Sequence, residues 1–363
     1  MAAKGVKLLE CNHTKKSALT TMRKCLLVTF LCVLLLGLLN FWLIGFSFDS
    51  NQPMHVTILM WHRPFSVPND LSGDACGDYH STLFCTIVEK RSLFPTADVV
   101  VFHNYELVTG REKLPLDLPR PPGQRWAWLS LESPVHNGDL RRFAGIFNLT
   151  INYRRDADIA TPYGERLVNE AEGEDPVHEL TQNKSFLACW VVSNYRSSYR
   201  RSQVYKELST IVPVKVYGRW TKTPLSAEEL LPTISRCYFY LAFENSEAKE
   251  YITEKLWKNA YQSGAVPVVL GAPVQDYEAL APPHSFIHVD QFASVKELAE
   301  YLLQVAGDKK RYSEYFRWKQ KWKVKVSNNW KERLCKLCSH YEHLPPNKVH
   351  TDLAAWVHAT GTL

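Results

Sequence analysis

Between residues 239 and 271 the chain concentrates side chains that could handle a sugar or a phosphate. The order is Phe239-Tyr-Leu-Ala-Phe-Glu-Asn-Ser246, Glu250-Tyr-Ile-Thr-Glu-Lys255, Asn259, then Gly264-Ala-Val-Pro-Val-Val-Leu-Gly271. The apolar run ending at Phe243 reads as a buried strand, with Glu244-Asn245-Ser246 as the polar turn after it. A helical pattern over Glu247–Ser263 puts Tyr251, Glu254 and Lys255 at i, i+3 and i+4, on one face. A carboxylate there suits ribose hydroxyls and a lysine suits phosphate, although the same pair also suits an ordinary intrahelical ion pair. A second cluster, Val191-Val-Ser-Asn194, ends another strand and leads to Arg201. A strand-end turn before a helix N-terminus cradles phosphate, and arginine adds a bidentate fork. Three further features are less specific. Glu132 follows the apolar run Trp126–Leu131; by spacing alone it is a surface carboxylate. Asp156-Ala-Asp158 has the form of a carboxylate pair holding a divalent cation, a match that arises readily by chance. Cys335-Lys-Leu-Cys338 could be half a zinc site or a redox pair, but His340 and His343 are spaced too tightly to complete a zinc knuckle, which favours disulfides.

The elements that must position these groups alternate. Strands are expected at His55–Trp61, Ala97–His103, Trp126–Leu131, Phe186–Val192, Val212–Tyr217, Tyr238–Phe243, Ala265–Leu270 and Ser285–Val289. Several are continuous Val, Ile and Leu runs, as in parallel strands covered on both faces. Helical patterns lie at Ser202–Ile211, Glu247–Ser263 and Ser294–Ala306, the last opening on the capping-box spacing Ser294-Val-Lys-Glu297 and stopping at Gly307. The class is therefore α/β with parallel sheets. A stretch rich in Glu, Asn and Gly between Glu165 and Asn183 reads as a linker, giving one α/β domain over 55–165, a linker over 166–183, a second over 184–330 and a C-terminal segment over 331–363 expected to pack back on the first domain. The aromatic and basic residues from Tyr312 to Trp330 read as an amphipathic helix packing across the domains.

Charge and hydropathy place the chain. Of its net +6, five charges belong to residues 1–25, so the remainder is nearly neutral and a nucleic-acid partner is not expected. Residues 26–46 carry no charge and are long enough to span a bilayer core of about 30 Å. The run is too long for the core of a cleaved signal peptide, and the flanking Lys and Arg put residues 1–25 in the cytosol. A single-pass type II anchor follows, with 47–54 as a short stem. Of nine cysteines, Cys76, Cys85, Cys189, Cys237, Cys335 and Cys338 lie beyond the anchor; they allow 15 pairings, local Cys76–Cys85 and Cys335–Cys338 bridges among them. Asn148-Leu-Thr150 and Asn183-Lys-Ser185 are N-glycosylation sequons on that side.

The stretch from Phe239 to Gly271 resembles the α-1,3-fucosyltransferases, as do Trp126–Pro134, Phe147–Gly164 and Cys189–Asn194. The resemblance covers essentially the whole body. It implies a GT-B fold of two Rossmann-like domains preceded by a single transmembrane helix, in the Golgi membrane. It implies inverting transfer of L-fucose from GDP-fucose to O3 of the N-acetylglucosamine of galactosyl-N-acetylglucosamine glycans, making Lewis x-type antigens on glycoproteins and glycolipids. Glu132 becomes the general base in the acceptor domain. Tyr163, Val191, Ser193, Asn194, Arg201, Tyr240, Asn245, Tyr251, Glu254 and Lys255 become donor contacts, with Arg201 and Lys255 on the leaving diphosphate and Glu254 on the ribose. It implies the bridges Cys76–Cys335, Cys85–Cys338 and Cys189–Cys237. It uses no essential metal, a divalent ion being at most stimulatory, so that Asp156-Ala-Asp158 is not a metal site; it admits a homodimer. One departure is that His103-Asn104-Tyr105 stands where many vertebrate relatives have His-His and then Arg or Trp. Type 1 or type 2 and sialylated or neutral acceptors stay open. A non-catalytic membrane lectin would share the anchor and bridges but not need Glu132, Arg201 and Lys255 together. A transferase of another nucleotide sugar would share the α/β pattern.

Overall fold

The computed structural model describes residues 30, 33–35, 55–66, 71, 76, 84–170, 182–327 and 329–359. Apart from four positions, the expected anchor over 26–46 lies outside the described residues, and no helix among them is long and apolar enough to cross a membrane.

Within His55–Leu363 there are two parallel sheets. The first contains β1 (His55–Met60), β2 (Phe84–Val88), β3 (Val99–His103), β4 (Arg125–Ser130), β5 (Leu149–Asn152) and β6 (Ile159–Ala160), in the order β2-β1-β3-β4-β5-β6. β7 (Gly164–Val168) leads out of it. The second contains β8 (Phe186–Val191), β9 (Val214–Tyr217), β10 (Cys237–Phe243), β11 (Val266–Leu270) and β12 (Ile287–His288), in the order β12-β11-β10-β8-β9. β13 (Trp322–Val326) then returns to pair antiparallel with β7. Counted from its own first strand, the first sheet runs 2-1-3-4-5-6 and the second 2-1-3-4-5. In such sheets ligands bind outside the carboxyl ends of strands where the order reverses. In the second sheet that point lies between β8 and β10.

The buried strands are legible because they are almost wholly apolar: β3 is Val-Val-Val-Phe-His and β11 is Val-Pro-Val-Val-Leu, each buried at every position. Helices Arg200–Ile211 and Val295–Gly307 cover one face of the second sheet through Val204, Leu208, Leu298, Leu302 and Val305. Ser294 caps the latter by accepting the Glu297 N–H at 3.2 Å. The C-terminal segment completes the first sheet. Leu334 and Leu337 of helix Trp330–His340 join one face, and Leu353 and Val357 join the other.

Several expectations need correction. β2, β5, β6, β7 and β13 are not among the expected strands; each is short, and β2 alternates buried and half-exposed residues rather than forming an apolar run. Ser285–Val289 contracts to Ile287–His288. The expected linker opens inside β7, whose residues pair with Trp322–Val326. The aromatic stretch from Tyr312 is not one amphipathic helix but a short helix, Lys309–Glu314, then β13, then the start of helix Trp330–His340. The helix expected over Glu247–Ser263 is reduced to a π-helical turn at Lys255–Ala260. The reason is local: Glu250 adopts φ +56 and its N–H donates to Asp276 at 2.6 Å, which no helix continues through.

Candidate active site

Strand-end turns from both sheets meet around a cavity of about 510 Å³. The second sheet contributes residues after β8 (Arg196 and Ser198 to Arg201) and after β10 (Glu244 to Glu247); the first contributes Val135 and His136 after β4.

Arg201 straddles the switch point. One terminal nitrogen donates to the Asn194 carbonyl beyond β8, and the other lies 3.5 Å from the Phe243 carbonyl at the end of β10. The rings of Tyr199 and Trp190 flank its guanidinium at 5.6 and 6.0 Å. Among the described residues its buried Nε has no partner. Helix Arg200–Ile211 begins at the same place, and the side chain of its cap residue, Tyr199, makes no capping bond. First-turn N–H groups at the positive end of a helix suit an anion.

Lys255 is organised by a carboxylate to which the sequence reading gave no role. Glu244, fully buried, accepts from the Thr253 N–H at 2.8 Å and Thr253 Oγ1 at 2.9 Å. It pairs with Lys255 Nζ at 2.9 Å. Lys255 also donates to Thr253 Oγ1 at 2.8 Å and to Glu254 at 3.2 Å. Burial works against the ammonium charge, but Glu244 and Glu254 outweigh it and hold the Lys255 pKa above its ordinary value. Burial also pushes Glu254 upward, yet Lys255 more than offsets this and keeps its carboxyl below the ordinary value. Gly271 makes room for Glu244: a Cβ there would lie 2.7 Å from the Glu244 Cβ, and its φ is +152.

Glu132 stands just past β4. Its turn is braced from beneath: Ser130 Oγ donates to Asn137 Oδ1 at 2.6 Å, and Asn137 Nδ2 reaches the Glu132 carbonyl at 3.4 Å. Among the described residues no group bonds the Glu132 carboxylate. Tyr163 donates its hydroxyl to the Leu131 carbonyl at 2.7 Å, and Tyr251 packs edge-on to Tyr163 with ring centres 6.5 Å apart. Both phenols are raised well above their ordinary pKa, by burial first and then by neighbours that include Glu132 and Glu254. Across the cleft Ser133 Oγ donates to Ser246 Oγ at 2.9 Å, and Arg155 pairs with buried Glu250 at 2.8 Å.

The structure thus links Tyr163 to the Leu131 carbonyl beside Glu132 and to the ring of Tyr251, joins Glu254 to Lys255, and sets Arg201 and Asn245 on the cavity. Ser193 and Asn194 are exposed in the turn after β8, and Val191 is half-buried at its end. Tyr240 is a correction: it is wholly buried beneath the turn, its hydroxyl accepting from Asn259 at 3.1 Å. The shared helical face of Tyr251, Glu254 and Lys255 is another, since Tyr251 precedes the helical residues. Besides Glu244, the cavity holds Arg196, Arg200 and His136, which are not among the expected residues. Three arginines within Arg196–Arg201, at a strand end, were the available signal.

The weaker motifs fall elsewhere. Asp156 pairs with Arg154 at 2.5 Å; Asp158 accepts from Thr150, Lys348 and His350 at 2.9, 2.6 and 2.8 Å. The two carboxylates are thus separately engaged, as structural braces. Asn104 lies beneath the Glu132 turn, its amide donating to Asn137 and accepting from Trp128 Nε1 at 2.9 Å. The bridges are Cys76–Cys335, Cys85–Cys338 and Cys189–Cys237, with Cα separations of 5.3, 6.1 and 5.9 Å, not the local pairs.

Comparison with known proteins follows the two halves. Residues 53–164 match the family model "Fucosyltransferase, N-terminal", and residues 181–356 match "Glycosyltransferase family 10 (fucosyltransferase) C-term". Alpha-(1,3)-fucosyltransferase 7 of Mus musculus is 45% identical over 323 residues, 88% of this chain and 80% of that protein. The 3-galactosyl-N-acetylglucosaminide 4-alpha-L-fucosyltransferase FUT3 of Bos taurus is 42% identical over 311 residues, 85% and 83% of the two chains. A crystal structure of an alpha1,3-fucosyltransferase with GDP-fucose superposes with a TM-score of 0.52 at 16% identity, covering 84% of this chain and 94% of that one, a likeness of fold. The chain belongs to glycosyltransferase family 10, among the α-1,3-fucosyltransferases, and is a glycosyltransferase.

Proposed function

We propose that the protein transfers L-fucose from GDP-fucose, with inversion, to O3 of the N-acetylglucosamine in galactosyl-N-acetylglucosamine glycans, making Lewis x-type antigens on glycoproteins and glycolipids. The observation that carries the reading is that the turn bearing Glu132 bonds to the wall of an arginine-lined cavity on the other half, Ser133 Oγ to Ser246 Oγ at 2.9 Å, where Glu244 holds Lys255 at 2.9 Å. Glu132 takes the proton from O3 as that oxygen attacks C1 of fucose. The C1–O bond to the diphosphate breaks with its electron pair, and GDP leaves. Arg201, the helix N-terminus and Lys255 stabilise the charge that grows on the diphosphate. Glu254 binds the ribose, with Tyr163, Val191, Ser193, Asn194, Asn245 and Tyr251 around the donor. Tyr240 supports that pocket from below. The fixed cations do the work of a divalent ion, so none is essential.

The architecture is read as GT-B, with the acceptor on the first sheet and the donor on the second. The uncharged run over 26–46 is read as a Golgi type II signal anchor. Asn183, exposed, and Asn148 are read as glycan acceptors; Asn148 Nδ2 gives one hydrogen to the Lys348 carbonyl at 2.8 Å, leaving the other for a sugar. A relative named for 4-linked transfer at 42% identity makes the acceptor series informative. The body from residue 50, incubated with GDP-fucose and N-acetyllactosamine, should release GDP and form a 3-linked product. Transfer only to type 1 chains in 4-linkage would overturn the linkage, and binding of sugar without turnover would overturn the activity.

A further inference from the structure

The contact that crosses the cleft beside Glu132 is a directional chain of hydrogen bonds. Ser133 Oγ donates to Ser246 Oγ at 2.9 Å, and Ser246 Oγ donates to Asn245 Oδ1 at 3.2 Å. His136 Nδ1 lies 2.9 Å from Ser133 Oγ and, more weakly, 3.5 Å from Ser246 Oγ. A hydroxyl carries one hydrogen, and that of Ser133 is directed at Ser246. The His136 contact therefore needs the proton on Nδ1, and the chain runs from Nδ1–H through Ser133 and Ser246 to the oxygen of Asn245. Its direction matters at the far end. With Oδ1 turned into the chain, the Asn245 Nδ2 hydrogens, which bond no group among the described residues, are left for a ligand of the cavity that Asn245, Arg201 and His136 line together. A pair of N–H donors is what the oxygens of a phosphorylated sugar require, and a flipped amide would present an acceptor to them.

We propose that His136 is a positioning residue. Supplied by the half that carries Glu132, it fixes the amide of Asn245 on the other half through Ser133 and Ser246. The order of the donor pocket is thereby tied to the turn bearing the base. The inference rests on the donor reading above. The test is initial-rate kinetics with GDP-fucose on purified variants. His136→Ala should raise the donor KM about tenfold, the scale of one hydrogen bond in a polar network, with the acceptor KM and melting temperature unmoved. His136→Asn, whose amide nitrogen takes the place of Nδ1, should recover the donor KM to within about threefold of wild type, and His136→Gln should not. Ser133→Ala should match His136→Ala, and the double variant should be no weaker than either. A donor KM unmoved by His136→Ala, rescue by Gln rather than Asn, or additive losses in the double variant would each overturn the proposal. Turnover of GDP-fucose by the wild type, measured alongside, reports separately on the proposed function.

Discussion

Lys255 touches three oxygens, on Glu244, Thr253 and Glu254, so its position is set by the protein before chemistry is considered. Such an ammonium can stabilise a leaving diphosphate without moving far, which is the condition for electrostatic catalysis. Lys255→Ala should lower turnover and raise the donor KM by about tenfold or more, since charge-assisted bonds exceed neutral ones. Initial rates against GDP-fucose check this, and unchanged donor kinetics would remove Lys255 from the site. The residue types at this site were legible in the sequence, but their arrangement was not. A Glu–Lys pair after a strand pointed to a phosphorylated sugar. The i, i+3, i+4 spacing of Tyr251, Glu254 and Lys255 suggested a helical face, which a single left-handed residue, Glu250, abolishes. Glu244 stood in plain view as the polar turn after β10, yet only burial reveals it as the anion that holds Lys255. Glu132 carried no local signal, because the general-base role proposed for it would be defined by what lies across the cleft.

At the scale of elements, the carboxyl ends of β8 and β10 do the positioning. Their separation in sequence, with β9 placed outside β8, opens the crevice that Arg201 spans. β11 contributes through its end: Gly271 follows it and lets Glu244 approach the backbone. Gly271→Ala should therefore displace Glu244, loosen Lys255 and cost about 1–3 kcal/mol of stability through backbone strain, with a rise in donor KM. A melting curve and donor kinetics measured together check it; a variant unchanged in both would show that the close approach is dispensable. The long apolar strands were readable because burial on both faces removes polar alternation. β7 and β13 were not, since each is half-exposed and gains order only from pairing with the other, a partner more than 150 residues away.

For the whole molecule, the C-terminal helix Trp330–His340 is stapled to the first half by two bridges with sequence separations of 259 and 253 residues. The fold thus closes on itself, and the first sheet is complete only when the last residues have been added. The pattern of strands and helices predicted two sheets, and the resemblance, through Cys76–Cys335 and Cys85–Cys338, placed the chain's end back on the first; the pattern alone could not, because that is decided by long-range packing. The cleft that results has a carboxylate on one wall and cations on the other, held by contacts such as Ser133–Ser246 and Arg155–Glu250. That division of labour is the central claim, and Glu132→Gln tests it most directly, with transfer and GDP binding measured on the same protein. The expected result is a loss of turnover of about 10² to 10⁴-fold, the range for a positioned base, with GDP affinity and melting temperature unchanged. Turnover within a few-fold of wild type, or a parallel loss of GDP binding, would contradict it.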